Sequence, residues 1–244
     1  MNPAATLDGF LGGRLKIRQS AEGYRAGIDA VFVAAAVPAR TGERVLELGS
    51  GAGVAGLCLA ARVQNISVLG IEQNADLVAL ANDNARVNDL SARVSFVQGD
   101  ALAYAPAQNF GHVFMNPPFN DEARGTPAPR ADKAKALAAG QTALALWIAR
   151  AIAMTEHGGS VTMILRADRR DEALTAFADG LGAIVVFPLW PQTGKPAKRV
   201  ILQGRKGSRA PLVISPGLTL HAPPQKYTDE AEAILRHGQA LTLA

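Results

Sequence analysis

A glycine-rich stretch has the residue types and spacing of a ligand-binding loop. The largely apolar run at residues 45–48 is typical of a short buried strand. Gly49, Gly51 and Gly53 end that run, and residues 54–62 continue at helical spacing. Glycine has no Cβ and adopts positive φ, so such a backbone passes close to a ligand, and N–H groups at a helix start point towards it. The stretch therefore predicts a bound nucleoside or nucleotide, with a plain tight turn as the alternative.

Two glycine patterns overlap here and favour different ligands. Gly51, Gly53 and Gly56 match the dinucleotide fingerprint, in which a pyrophosphate lies at the helix N-terminus. Glu47 stands two residues before Gly49, where a carboxylate would repel a pyrophosphate but could accept hydrogen bonds from a cationic amino group. This second pattern resembles the first motif of the S-adenosylmethionine (SAM)-dependent methyltransferases of the Rossmann-like class. The resemblance implies that the acidic residue lies near the methionine end of SAM and that the loop wraps the cofactor.

Two further acidic residues end predicted strands and are candidates for cofactor binding. Glu72, followed by Gln73, ends the strand predicted at residues 66–71, where an acid can accept two hydrogen bonds from ribose hydroxyls of NAD or SAM. Asp100 ends the third predicted strand and could accept from an adenine amine, with Ala101 packed on the ring. A charge ahead of a helix and a simple Gly-Asp turn are the alternatives.

The end of the fourth predicted strand separates the two cofactors. Asn116, Pro117, Pro118 and Phe119 resemble the fourth motif of methyltransferases that act on exocyclic amines. The lone pair of an adenine amine is delocalised into the ring. The Asn116 side-chain oxygen and the Pro117 carbonyl could accept its two N–H groups and draw the nitrogen towards a tetrahedral geometry. The prolines would hold these acceptors in place, and Phe119 could stack on the base. This motif argues against a dehydrogenase, although an Asn-Pro pair also marks plain surface turns.

A stretch whose charged residues are all basic predicts a polyanionic partner. Residues 180–228 hold no Asp or Glu and carry +7, so the remainder carries −3 within a net charge of +4. Basic residues beside a tryptophan suit phosphates and a stacked base, whereas a solvated surface loop is the alternative. Two arginines of the loop predicted at residues 120–130, a candidate lid, join this set. The predicted RNA-binding residues are Arg124, Arg130, Trp190, Lys195, Lys198, Arg199, Arg205, Lys206 and Arg209.

The chain as a whole resembles the bacterial tRNA(Val) adenine-N6 methyltransferase group. The resemblance implies SAM as cofactor, RNA as partner and the exocyclic amine of an adenine, in the anticodon loop of tRNA(Val), as acceptor. It implies Asn116, Pro117 and Phe119 as catalytic residues. The implied cofactor-binding set is Gly27, Asp29, Glu47, Gly49, Ser50, Gly51, Gly53, Glu72, Gln73, Asp100, Ala101 and Asn116. The alternatives are an rRNA guanine-N2 methyltransferase, a protein-glutamine methyltransferase, and a non-catalytic SAM-binding RNA protein.

Strands that alternate with helices must position these residues. The alternation predicts an α/β fold with a seven-stranded, mostly parallel, doubly wound sheet whose last strand is antiparallel. Ligands bind at the carboxyl ends of strands in such sheets, which is where the cofactor-loop and motif residues fall. We expect a single methyltransferase domain over residues 1–244. It comprises an N-terminal hairpin and helix (1–40), a SAM-binding catalytic core (41–205) and a C-terminal extension (206–244).

Composition limits the location and the chemistry. Hydrophobic residues make up 48% and charged residues 19%, which is typical of a globular chain with a buried core. Cys58 is the single cysteine, so an internal disulfide is excluded and a cytoplasmic location is expected. The chain shows no secretion signal and no apolar stretch long enough to span a membrane. The four histidines are scattered, so no metal site is expected.

Overall fold

The computed structural model describes residues 5–21, 25–117 and 143–244. The strands are β1 (Ala5–Phe10), β2 (Leu15–Ser20), β3 (Arg44–Leu48), β4 (Ser67–Glu72), β5 (Val94–Gln98), β6 (Phe110–Met115), β7 (Thr155–Arg166), β8 (Leu181–Trp190), β9 (Arg199–Lys206), β10 (Val213–Ile214) and β11 (Leu218–Thr219). The helices are α1 (Ile28–Ala36), α2 (Val54–Arg62), α3 (Ala75–Val87), α4 (described over residues 143–154), α5 (Arg170–Ala178) and α6 (Asp229–His237).

The long strands form one sheet in the order β8-β9-β7-β6-β3-β4-β5, with the short strands β10 and β11 paired to the outer side of β8. Neighbouring strands from β5 to β7 are parallel, and β9 is antiparallel to both β7 and β8. The predicted fold class is confirmed, including the antiparallel last long strand. The carboxyl ends of the parallel strands lie on one side of the sheet, and we call this side the rim. The edge opposite the rim is the side where these strands begin.

The sheet is buried on both faces, which explains the nearly continuous apolar runs of its central strands. Successive side chains of β3 point to opposite faces. Val45 therefore packs into a hydrophobic cluster with α1 and α2. Leu46 and Leu48 pack into a second cluster with α4 and α5. Glu47 shares the face of Val45, and this direction determines its surroundings.

The two ends of the described chain pack on the same side of the sheet. β1 and β2 form an antiparallel hairpin outside the main sheet. Arg14, which follows the hairpin turn, donates to the carbonyl of His237 at 3.0 Å and to that of Ala61 at 3.2 Å, at the C-terminal ends of α6 and α2. Thr228 caps α6 by accepting from the N–H of Ala231. Side chains of β2, α1, α2 and α6 thus contribute to one hydrophobic cluster.

β7 is longer than its apolar pattern indicates. The sequence predicts a strand over residues 160–165, whereas β7 begins at Thr155, and its pairing with β6 shifts register between Phe110 and His112. Gly158, with φ of +82°, allows this irregularity because left-handed backbone costs glycine little. The sequence also predicts a helix over residues 131–154, and the part of it before residue 143 lies outside the described residues. Among the described helices, none has the length and apolar character needed to cross a membrane.

Candidate active site

The glycine loop lies at the rim, directly after β3, and is tied to the end of β4. The N–H groups of Gly49 and Ser50 donate to the carbonyl of Ile71 at 2.9 and 3.0 Å. The N–H of Gly51 donates to Glu72 Oε2 at 2.9 Å. Gly49, Gly51 and Gly53 have φ values of +70°, +54° and +82°, a region that other residues enter at a cost. The loop conformation therefore requires the three glycines that the sequence places there.

The three glycines differ in what surrounds them. A Cβ on Gly53 would lie 2.6 Å from the ring of Phe96, and one on Gly49 would lie 3.0 Å from the ring of Trp147. A Cβ on Gly51 would meet nothing within 4 Å among the described atoms. The rings of Phe96 and Trp147 thus pack against the loop at Gly53 and Gly49, while the backbone at Gly51 faces open space. This cradle fits a small ligand laid against the loop backbone.

Ser50 contributes a polar group to the same loop. Its side chain is buried, and its hydroxyl has no hydrogen-bond partner among the described residues. Buried hydroxyls are usually hydrogen-bonded, so a partnerless one beside a cradle is consistent with a ligand site.

Glu47 lies beneath the loop. Its Oε2 accepts from the N–H of Gly56 in α2 at 2.9 Å, and only 5% of the residue is exposed. Burial raises the pKa of the carboxyl to about 8; the Gly56 hydrogen bond lowers the pKa, and Glu72 raises it further. Glu47 therefore braces the start of α2 against β3, and the structure does not place it on the open side of the loop where we predicted a cofactor contact.

Glu72 joins the glycine loop to the next helix. Its second oxygen, Oε1, accepts from the N–H of Asn74, which in turn caps α3. Gln73 is exposed, and its carbonyl accepts from Gln98 at 3.3 Å. Glu72 thus stands at the rim beside Gly51, and its contact with a cofactor ribose stays a prediction.

Asp100 and Ala101 form a turn after β5. Asp100 Oδ1 accepts from the N–H of Leu102 at 2.9 Å, and Ala101 is buried in the α4-side cluster. This geometry is that of an Asx turn, the alternative weighed for the Gly-Asp pair. Asp100 stays exposed at the rim, whereas Ala101 packs into the core rather than towards solvent.

Gly27 and Asp29 lie at the start of α1. Gly27 is the N-cap, and a Cβ on it would meet nothing within 4 Å. Asp29 Oδ2 accepts from Arg199 Nε at 2.7 Å in a partly buried ion pair. Arg199 begins β9 at the rim, so this pair ties the α1 start to the strand two places from β6.

Asn116 and Pro117 follow β6 at the rim. Leu48 and Met115 are register partners, so Asn116 stands beside Gly49, the first residue of the glycine loop. Asn116 is half-buried and Pro117 is buried. The predicted amine-binding pair is thus adjacent to the cradle. Phe119, Arg124 and Arg130 lie outside the described residues, so their roles stay predictions.

The structure divides the predicted RNA-binding segment between two edges of the sheet. Because β9 runs antiparallel to β7, Arg199 pairs with Arg166 at the rim and Arg205 pairs with Ser160 at the opposite edge. Lys195 and Lys198 lie in the β8–β9 connection at the rim. Trp190 also ends β8 at the rim, where its Nε1 donates to the carbonyl of Pro216 at 2.8 Å.

The other members of the basic segment do not face the cradle. Arg205 donates to the carbonyl of Gly158 at 3.0 Å. Lys206 donates to the carbonyls of Ile152 and Thr155, at the C-terminal end of α4. Arg209 follows β9 at the same edge. These cations stabilise the edge opposite the rim, so the predicted single RNA surface is corrected to its rim half.

Trp147 is a site residue that the sequence analysis missed. It lies on α4, half-buried, with its ring against Gly49. The sequence around Trp147 predicts only that it lies in a helix. Its contact with Gly49 depends on how α4 crosses the sheet.

A hydrogen-bonded Ser-His-Glu chain occupies the edge opposite the rim. Ser160 Oγ and Glu43 Oε2 each lie 2.8 Å from a ring nitrogen of His112. Ser160 is 1% exposed, so no substrate can reach its hydroxyl. We therefore assign a structural role to these three hydrogen-bonded side chains. Burial lowers the pKa of His112, although Glu43 opposes this shift.

Comparisons with known proteins agree with this geometry. Residues 27–129 match the family model described as the Methyltransferase small domain. The tRNA1(Val) (adenine(37)-N6)-methyltransferase of Actinobacillus pleuropneumoniae serotype 7 (strain AP76) is 29% identical over 178 residues, covering 71% of this chain and 73% of the relative. The chain is a SAM-dependent methyltransferase.

Two further matches extend the comparison. A predicted O-methyltransferase from Agrobacterium tumefaciens, known as a crystal structure, is 26% identical with a TM-score of 0.73, covering 88% of this chain and 98% of that one. The release factor glutamine methyltransferase of Pasteurella multocida (strain Pm70) is 38% identical over 89 residues, which cover 32% of this chain and 28% of the relative. The predicted class and cofactor of this methyltransferase are thus confirmed, while the roles of its individual residues stay predictions.

Proposed function

We propose that this methyltransferase transfers the methyl group of SAM to the exocyclic amine of an adenine in RNA, and that the RNA is a tRNA with the acceptor in its anticodon loop. The observation that carries this proposal is the place of Asn116 and Pro117 beside Gly49 at the rim. An amine acceptor pair and a cofactor cradle are thereby adjacent, which is the arrangement that direct transfer requires.

The chain's own residues would perform the following steps. The glycine loop and Glu72 hold the cofactor, which supplies an electrophilic methyl group on a sulfonium. Asn116 and Pro117 accept the two N–H groups of the amine and aim its lone pair at the methyl carbon. SAM, when bound, would supply the methyl group and keep the carbon–sulfur electron pair on sulfur, and the proton released from the amine would pass to solvent water.

Three features favour RNA over protein as the acceptor. The match to the tRNA enzyme spans 71% of the chain, whereas the match to the glutamine enzyme spans 32%. Lys195 and Lys198 place two positive charges at the same rim as the proposed amine site, in the connection between β8 and β9. An unpaired loop base also costs little to turn into such a pocket.

Incubation with methyl-labelled SAM and total tRNA, followed by nucleoside analysis, tests the proposal. We expect label in N6-methyladenosine, and we expect Asn116→Ala to lose about a hundredfold or more in kcat. Thr6→Ala, a substitution at an exposed position of β1, is the control.

Other outcomes would identify a rival. Label in a methylguanosine of rRNA or in a protein glutamine would replace adenine as the acceptor. SAM binding without label transfer to any of these acceptors would favour the non-catalytic RNA protein.

A further inference from the structure

Asn84 of α3 and Asn88, which directly follows α3, bind the free edge of β2. Asn84 Oδ1 accepts from the N–H of Arg18 at 2.8 Å, and its Nδ2 donates to the carbonyl of Arg18 at 2.9 Å. Asn88 makes the same pair of bonds with the backbone of Lys16, both at 2.9 Å. A side-chain amide has the donor and acceptor of a peptide group, so the two residues take the place of a neighbouring strand.

Asn84 differs from Asn88 in its third hydrogen bond. Asn84 Nδ2 donates to the carbonyl of Ala52, inside the glycine loop, at 3.0 Å, whereas Asn88 Nδ2 donates to the carbonyl of Asn84 at 2.8 Å. Asn84 is 1% exposed, whereas Asn88 is half-buried. One buried amide therefore holds β2 and the cofactor loop together.

Gln19 continues this connection along β2. Its Oε1 accepts from the N–H of Ala26 at 2.8 Å, and its Nε2 donates to the carbonyl of Ala26 at 3.2 Å and to Asp8 Oδ2 at 2.8 Å. Gln19 is 3% exposed. Ala26 directly precedes Gly27, so buried amide contacts run from the glycine loop through Asn84, β2 and Gln19 to the start of α1.

We propose that Asn84 and Gln19 are positioning residues that hold residues 27–29 in register with the glycine loop and so set the affinity for SAM. The inference rests on the proposed cofactor site, since it assigns the hairpin β1–β2 a task at that site. Neither side chain needs to touch the cofactor. Removing either side chain takes a hydrogen-bond partner from backbone groups of Arg18 and Ala52 or of Ala26, and it frees the segment that the side chain holds.

The test measures the Kd of SAM by calorimetry and the melting temperature of the same samples. The variants are Asn84→Ala and Gln19→Met. The control is Asn88→Ala, because it loses the equivalent pair of bonds to the backbone of β2 and one bond to the carbonyl of Asn84, but none to the glycine loop. We expect the Kd of SAM to rise at least tenfold for Asn84→Ala and Gln19→Met, and less than twofold for Asn88→Ala. All measurements are made at least 15 °C below each melting temperature.

The outcomes separate this inference from the proposed function. A lower melting temperature with an unchanged Kd of SAM in Asn84→Ala would overturn the inference, because it would show a structural role only. If Asn84→Ala does not fold, Gln19→Met decides, and an unchanged Kd in that variant overturns the inference. If the unsubstituted protein fails to bind SAM, it is the cofactor site itself that is refuted.

Discussion

The buried carboxyl of Glu47 makes the stability of this protein depend on pH in an unusual direction. In the unfolded chain its pKa has the ordinary value of 4.5, and burial raises the pKa to about 8 in the folded state. Between these values the folded state binds one more proton than the unfolded state, so the free energy of unfolding must fall as the pH rises. The contribution is full below pH 4.5 and is lost by about pH 8.

The magnitude follows from the difference between the two pKa values. The separation between 4.5 and about 8 corresponds to roughly 5 kcal/mol over the whole range. Between pH 5.5 and 7.5 the free energy of unfolding should fall by roughly 2–3 kcal/mol from this group alone. Other titrating residues add their own slopes, so the measurement needs a variant that lacks only this carboxyl.

Glu47→Gln supplies that comparison. The glutamine carbonyl can still accept from the N–H of Gly56, and the amide is neutral at every pH. Urea unfolding of both proteins at pH 5.5, 6.5, 7.5 and 8.5 gives the free energies of unfolding, with m-values as a check on two-state behaviour. We expect Glu47→Gln to be more stable than the unsubstituted protein by roughly 1 kcal/mol at pH 5.5, and by progressively more up to about pH 8.

Glu156→Gln is the control, because Glu156 is exposed on β7 and its removal should leave the curve unchanged. Parallel curves for the unsubstituted protein and Glu47→Gln would refute the reasoning. They would mean that Glu47 is already ionised in the folded state at pH 5.5, so the bond to Gly56 or solvent would outweigh its burial.

The remaining predictions concern the cradle and the rim. Gly51→Ala and Gly42→Ala both place a side chain at positive φ in open space, so each should lower the free energy of unfolding by about 1–2 kcal/mol. Only Gly51→Ala should also weaken SAM binding, by at least tenfold in calorimetry, and equal SAM affinities would contradict the cradle. The double variant Lys195→Ala and Lys198→Ala should lower the salt dependence of tRNA binding by about one to two units of slope in a log–log plot, whereas Arg209→Ala should leave it unchanged. If Arg209→Ala lowered the salt dependence and the double variant did not, the RNA would bind at the edge opposite the rim.

The order of strands and helices could be predicted from sequence because each element has a local cause. Apolar runs such as residues 112–115 form buried strands, and glycines such as Gly49 end them. In a parallel sheet every strand ends at the same edge, so Asn116 and Glu72 could be expected at one rim without knowledge of any long-range contact. The fold class, the cofactor loop and the adjacency of Asn116 to that loop follow from these patterns.

Other features depend on pairings between residues far apart in the chain. The antiparallel direction of β9 separates Arg199 from Arg205 by the length of the strand, although only six positions part them in sequence. A run of positive charge contains no information on which edge each cation will reach. The same holds for Trp147, whose contact with Gly49 is set by the crossing of α4 over the sheet.

The sequence by itself determined the class of fold, the glycine loop and the place of Asn116 and Pro117 directly after β6, since strand ends and turns are local properties. Only the tertiary structure decided that Glu47 lies under the loop, that the basic segment divides between two edges, and that Asn84 joins the hairpin to the loop. Each of these depends on the direction in which a side chain leaves its element and on the distant backbone it meets there. Such long-range contacts arise from the packing of the whole chain, so they cannot be predicted from a short segment of sequence.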